Sequence, residues 1–141
     1  MFLLDTNVVS ELMRAMPEAK VVAWVNEQPA SSLFLSAISQ AEVLYGIALL
    51  PEGRRKQGIT EAADLAFTKY FQGRILPFDS AAAGVYAAIA IERRASGRPI
   101  AQFDAQIAAI ARSRGAALAT RNVGDFEDCG IDVVNPWTVG F

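Results

Sequence analysis

The sequence predicts an α/β fold: a central parallel β-sheet flanked by helices on both faces. Three observations carry that reading. Phe2-Leu3-Leu4, Leu33-Phe34-Leu35 and Ala116-Ala117-Leu118-Ala119 are apolar at every position, as strands covered on both faces are. Between them lie stretches with apolar residues at helical spacing, punctuated by Pro, Gly and capping residues, the alternation of βα units. Polar or acidic residues follow the strands, at the edge where open α/β sheets bind ligands.

The elements follow in chain order. Phe2-Leu3-Leu4 ends on Asp5, and Thr6 or Asn7 is expected to cap a helix starting near Val8. Asp5 suits two roles, helping the cap or binding a metal. Pro17-Glu18 opens an amphipathic helix to about Glu27, with Val21, Val22, Trp24 and Val25 on its apolar side. Pro29 to Ser32 reads as a turn, and Leu33 to Ser36 as the second strand. Ser39-Gln40-Ala41-Glu42 fits a capping box opening a helix through Val43, Leu44, Ile47 and Leu50. Glu42 therefore has a structural explanation, although a helix starting at that sheet edge would also turn it toward Asp5.

Pro51 to Lys56 is expected to be a polar, solvated link, and about Thr60 to Phe71 a helix with Ala63, Phe67 and Tyr70 toward the core, closed by Gly73. Arg74 to Phe78 reads as a short strand. Asp79-Ser80 caps an Ala-rich helix to about Ala95, a role that fits Asp79 better than metal binding. Gly97-Arg98-Pro99 breaks the chain before a helix whose first turn carries Asp104, favoured there by the helix dipole or by a site at the same sheet edge. The strand Ala116 to Ala119 runs into Thr120-Arg121-Asn122, with Asp125-Phe126 one turn later. Val133-Val134 is the last strand, closed by Asn135-Pro136-Trp137.

Composition removes several function classes. A length of 141 residues suits one domain, 1–141, with a sizeable core. No apolar run approaches the roughly 18–20 residues of a membrane span, and no leader pattern is read at the start. The single Cys129 rules out an internal disulfide framework and points to the cytoplasm. The 52% hydrophobic content is high for a small monomer and implies apolar surface that meets a partner. The chain has no His, so Ser-His-Asp and Cys-His catalysis and the usual Cys/His zinc sites are all excluded. Acid–base or metal chemistry must then fall to carboxylates, whose oxygens favour hard cations such as Mg²⁺ or Mn²⁺. The net charge of −2 provides no global attraction for nucleic acid. Six arginines between Glu92 and Arg121 nevertheless precede a tail whose only charges are Asp125, Glu127, Asp128 and Asp132.

Asp5, Glu42, Asp104 and the Asn122/Asp125 pair thus all follow strands or open helices, and all would gather at one sheet edge. Grouped carboxylates raise one another's pKa unless cations neutralise them, so the set points to one metal site. The residues Leu4-Asp5-Thr6-Asn7, Ser39-x-x-Glu42, Asp104-x-x-Ile107-Ala108-Ala109-x-Ala111, Leu118-Ala119-Thr120-Arg121-Asn122-x-x-Asp125-Phe126 and Asn135-Pro136-Trp137 carry a resemblance. Together, from Met1 to Trp137, they resemble a PIN-domain ribonuclease, and within that family the VapC/FitB-type toxins of bacterial type II toxin–antitoxin modules.

The resemblance implies a PIN-like fold, Mg²⁺- or Mn²⁺-dependent cleavage of RNA, a homodimer, and a small DNA-binding antitoxin as partner. It implies metal-binding and catalytic roles for Asp5, Glu42, Asp104 and a fourth acid. Some members carry that acid at the position of Asn122 and others at that of Asp125; this chain has Asn122, which leaves Asp125 as the acid. Thr6, Asn7, Ser39, Thr120 and Asn122 would support the site, and Arg121 would meet a phosphate. Two other readings compete with it. A phosphoryl-transfer domain fits poorly, because the phosphatase type needs Asp where Asn7 stands and the receiver type needs a strand-end Lys. A non-catalytic PIN-like module is disfavoured by the presence of all four acids.

Overall fold

The computed structural model of the chain describes residues 1–139. Among these, five short strands form one parallel sheet in the order β3-β2-β1-β4-β5: β1 Phe2–Leu4, β2 Leu33–Ser36, β3 Ile75–Leu76, β4 Ala117–Ala119 and β5 Val133–Val134. The helices are α1 Thr6–Leu12, α2 Ala19–Glu27, α3 Ala37–Ala48, α4 Arg54–Leu65, α5 Ser80–Ala95 and α6 Gln102–Ser113. Helix α4 continues into a wider π-helical turn, Ala66–Tyr70, and 3-10 turns occupy Ala30–Ser32 and Val123–Phe126.

The alternation of strand side chains divides the core in two. Leu3 and Leu118 join Ala82 and Ile89 of α5 and Ile107, Ala108, Ile110 and Ala111 of α6 on one face. Leu4, Leu35 and Ala119 meet Val8, Val9, Val21, Trp24, Val43, Ile47 and Phe67 on the other. Both faces are therefore covered by helices, which is why the central strands are apolar throughout. Each fully buried Leu contributes about 1.5–3 kcal/mol of transfer free energy.

Strands β1, β2 and β3 step outward to one side of β1; the chain then returns through α5 and α6 to add β4 and β5 on the other side. The order reverses between β1 and β4, and their carboxyl ends open a crevice there.

Several boundaries differ from expectation. Helix α1 begins at Thr6 rather than Val8, because Asp5 is itself the cap: its Oδ1 accepts from the Thr6 N–H at 2.8 Å. Helix α3 is capped by Ser36, whose Oγ accepts from the Ser39 N–H at 3.0 Å. The Ser39-to-Glu42 capping box is not formed, since the last residue of β2 already supplies the cap. Arg54 to Lys56 are the first turn of α4 and not a link. Tyr70 is exposed rather than core, the wider turn of the π-helical segment having shifted its angular position.

Candidate active site

Strand β1 ends at the switch point, so the residue after it projects into the crevice. That residue is Asp5, 5% exposed. Its buried carboxylate has donors on both oxygens: Oδ1 accepts from the Thr6 N–H, while Oδ2 accepts from Thr120 Oγ1 at 2.8 Å and from Asn7 Nδ2 at 3.3 Å. Thr120 follows β4 directly and is fully buried. Its hydroxyl oxygen also accepts from the Asn122 N–H at 3.1 Å and lies 3.3 Å from Asn7 Nδ2. Asn7 Oδ1 accepts from the Arg121 N–H at 3.3 Å. Asn7 thus ties the turn after β1 to the turn after β4.

The third contribution comes from α3. Freed from capping, Glu42 accepts at Oε1 from the Thr6 hydroxyl at 2.8 Å, and the same Thr6 oxygen lies 2.9 Å from Ser39 Oγ. Thr6 therefore connects the helix that Asp5 starts to the one that carries Glu42. Asp104 lies in the first turn of α6 and Asp125 in the 3-10 turn after β4.

The electrostatics join the four acids. Burial raises Asp5 above the ordinary carboxylate range; the hydrogen bonds from Thr120 and Thr6 oppose the rise, and the charge of Asp125 adds to it. Asp104 is pushed up to about 6, first by burial and then by the charges of Asp5, Asp125 and Glu42, with Arg93 opposing. Among the described residues no ion pair reaches any of the four acids. None of the acids and thiols described converge tightly enough, three at a time, to enclose an ion. The residues nevertheless fit a hard divalent cation in their chemistry: every donor is an oxygen, and the acids repel one another with no cation of the protein between them.

A groove of about 1010 Å³ leads away from the site. Asn7, Glu42, Arg121 and Trp137 line its end nearest the acids, and Arg54 and Arg55 line it further along. The Arg121 guanidinium lies 5.1 Å from the centre of the Trp137 ring, a cation–π contact that holds it at the groove. The arginines of the expected link thus sit on a surface continuous with the site.

Every candidate from the sequence is found at this edge or in its hydrogen-bond network: Asp5, Glu42, Asp104, Asp125, Thr6, Asn7, Ser39, Thr120, Arg121 and Asn122. Sequence reasoning missed Arg93, which it counted only as one of six arginines between Glu92 and Arg121. It is buried, and its Nη1 donates to the carbonyls of Asp125 and Glu127 at 3.0 Å each. The signal was present, since Arg93 continues the buried stripe of Ala82 and Ile89 at spacings of seven and four residues.

Known proteins agree with this architecture. The chain is 40% identical over 137 residues to VapC ribonuclease Y4jK of Sinorhizobium fredii, covering 97% of this chain and 98% of that protein. It is 42% identical over 137 residues to Toxin FitB of Neisseria gonorrhoeae, covering 97% and 99%. The crystal structure of FitAcB from Neisseria gonorrhoeae superposes with a TM-score of 0.92 at 41% identity, covering 99% of this chain and 100% of that one. The PIN domain model matches residues 2–130, and with the parallel sheet and these relatives it shows that the chain belongs to the PIN domain family.

Proposed function

We propose that this chain is a metal-dependent endoribonuclease, the toxin of a type II toxin–antitoxin module, in which Asp5, Glu42, Asp104 and Asp125 are the metal-holding carboxylates. The observation that supports the reading is electrostatic: the charges of Asp5, Glu42 and Asp125 all act on Asp104 at the switch-point edge, and among the described residues no basic side chain forms an ion pair with any of the four. The relatives named VapC ribonuclease and Toxin FitB support the reaction and the biological role.

Magnesium is the proposed ion, with manganese able to replace it; bound here it supplies a Lewis acid for a phosphate oxygen and a water of lowered pKa. The chain's own residues prepare the site. Thr120 and the Thr6 N–H donate to Asp5 and favour its charged, metal-binding form. Thr6 and Ser39 fix the Glu42 carboxylate, and Asn7 holds the two turns together. Arg121, held by Trp137, supplies a cation for a phosphate of the bound strand, with Arg54 and Arg55 along its path in the groove.

The remaining assignments belong to the same reading: residues 1–141 act as one PIN domain, as a homodimer in the cytoplasm, held inactive by a small DNA-binding antitoxin. No described helix is long and apolar enough to cross a membrane. The test is cleavage of purified total RNA. Cutting is expected with Mg²⁺ or Mn²⁺ and not in excess chelator, and Asp5→Asn is expected to lower the rate at least about 100-fold, as loss of a metal ligand should. Unchanged cutting by Asp5→Asn, or cutting in chelator, would sink it. Induced expression checks the biological role: growth arrest by the wild type and not by Asp104→Asn is expected.

A further inference from the structure

We propose that Arg93 is a positioning residue for this site: its buried guanidinium fixes the backbone around Asp125 and so sets where that carboxylate stands. The inference rests on the metal-dependent nuclease reading above.

Arg93 lies in the last turn of α5 and is 6% exposed. A guanidinium stays charged at any physiological pH, so burying it is costly unless its donors are satisfied. The partners here are backbone carbonyls. Nε donates to Arg98 O at 2.8 Å, Nη1 donates to Asp125 O and Glu127 O, and Nη1 lies 3.6 Å from Cys129 Sγ. Among the described residues Arg93 has no ion pair. The cation is thus left unneutralised behind the acidic site, where its charge favours the ionised form of Asp104.

The segment it grips has few other supports. Asp125 is exposed, and its turn is held by the burial of Phe126 and by the Asp125 N–H donating to Asn122 O at 3.1 Å. Just past it, Arg98 pairs with Glu127 at 3.1 Å and with Asp128, but those contacts are exposed and weak. Arg93 is the buried polar support, beside the apolar anchor of Phe126. Its planar fork reaches two carbonyls from one nitrogen and a third from Nε, which a lysine ammonium on a flexible stem cannot reproduce with fixed geometry.

The experiment compares wild type, Arg93→Lys and Arg93→Gln, each with Asp125 intact and in an Asp125→Ala background. Amide exchange of metal-free protein is expected to rise in residues 122–127 of both Arg93 variants, with α6 and β1 unchanged. Titration calorimetry with Mn²⁺ is expected to show about a 10-fold loss of affinity in Arg93→Lys, the scale of a lost support to a metal ligand. In the Asp125→Ala background, Arg93→Lys is expected to cost no further affinity, because the two changes remove the same contribution. An equal loss in both backgrounds, or faster exchange across the whole chain, would show a general structural role and overturn the proposal. If the wild type binds no Mn²⁺ and cuts no RNA, the nuclease reading fails; the exchange of residues 122–127 then decides on Arg93 by itself.

Discussion

Asp104 shows how a single residue is tuned by its neighbours. Its pKa of about 6 stands above the ordinary value of 3.8 because the folded state buries it among three other acids. A carboxyl that holds its proton more tightly when folded adds stability at low pH, and that contribution is lost as pH rises through about 6. The metal-free wild type should therefore lose stability, relative to Asp104→Asn, between about pH 4 and 7. Melting curves at pH 5 and 7 check this: at pH 7 Asp104→Asn is expected to melt about 2–4 °C higher, roughly what 1 kcal/mol does in a chain of this size, while cutting no RNA. A wild type that melts no lower than the variant at pH 7 would mean that folding does not raise the pKa of Asp104. Thr120 acts in the opposite direction, since its hydroxyl lowers the pKa of Asp5. Thr120→Val should raise that pKa further and cost about 1–3 kcal/mol by leaving a buried oxygen short of a donor. Its cleavage rate should fall more at pH 6 than at pH 8, read from a pH–rate profile; a uniform fall would mean that Thr120 acts only on stability.

At the scale of elements, the sheet and the acids at its edge were legible, because burial on both faces writes an unmistakable apolar run and the strand ends are where polar residues return. Phe2–Leu4 and Leu33–Ser36 appear with those bounds, and Asp79 caps α5 by accepting from the Ala82 N–H at 3.0 Å. Helix starts were less legible. Ser36 and Ser39 are both competent caps, and sequence cannot tell which of them the strand leaves at the right backbone angle. The choice mattered for function, because only with Ser36 as the cap is Glu42 released toward Thr6. Helix α4 starts at Arg54 although three basic residues in its first turn oppose the helix dipole, so packing of Ala63, Ala66 and Phe67 overrides that signal. The partners of Arg93, unlike its burial, were hidden for a different reason: two of its three carbonyls lie 32 and 34 residues downstream, and a carbonyl has no residue identity to read. Ser36→Ala tests the element itself. It should cost about 1 kcal/mol, a typical loss for a cap, measured by denaturant unfolding, and should lower cleavage by loosening the helix that carries Glu42. Full activity at reduced stability would show that α3 is positioned by its core contacts alone.

At the scale of the whole molecule, several large apolar side chains of the described residues face solvent. Leu44 and Tyr45 on α3 and Leu49 just past it are exposed, the last two by 68% and 67%, as are Leu65 at the end of α4 and Tyr70 at the end of the π-helical turn. These side chains lie outside both core clusters, so folding of one chain does not account for them. Association would account for them, because exposed apolar patches mark interaction sites. A stable interface takes about 800 Å² from each partner, about a tenth of the 7885 Å² this chain exposes. The homodimer proposed above is the simplest occupant when the chain is purified alone. Light scattering should then give about twice the 15.2 kDa of the chain, and the melting temperature should rise with protein concentration, because association stabilises the folded form by mass action. Leu49→Glu and Tyr45→Glu place charges on exposed positions and should leave the monomer fold intact while shifting the mass toward one chain. A mass of one chain at every concentration for the wild type would assign this surface to a different protein, and the same variants would then be expected to weaken capture by the antitoxin instead.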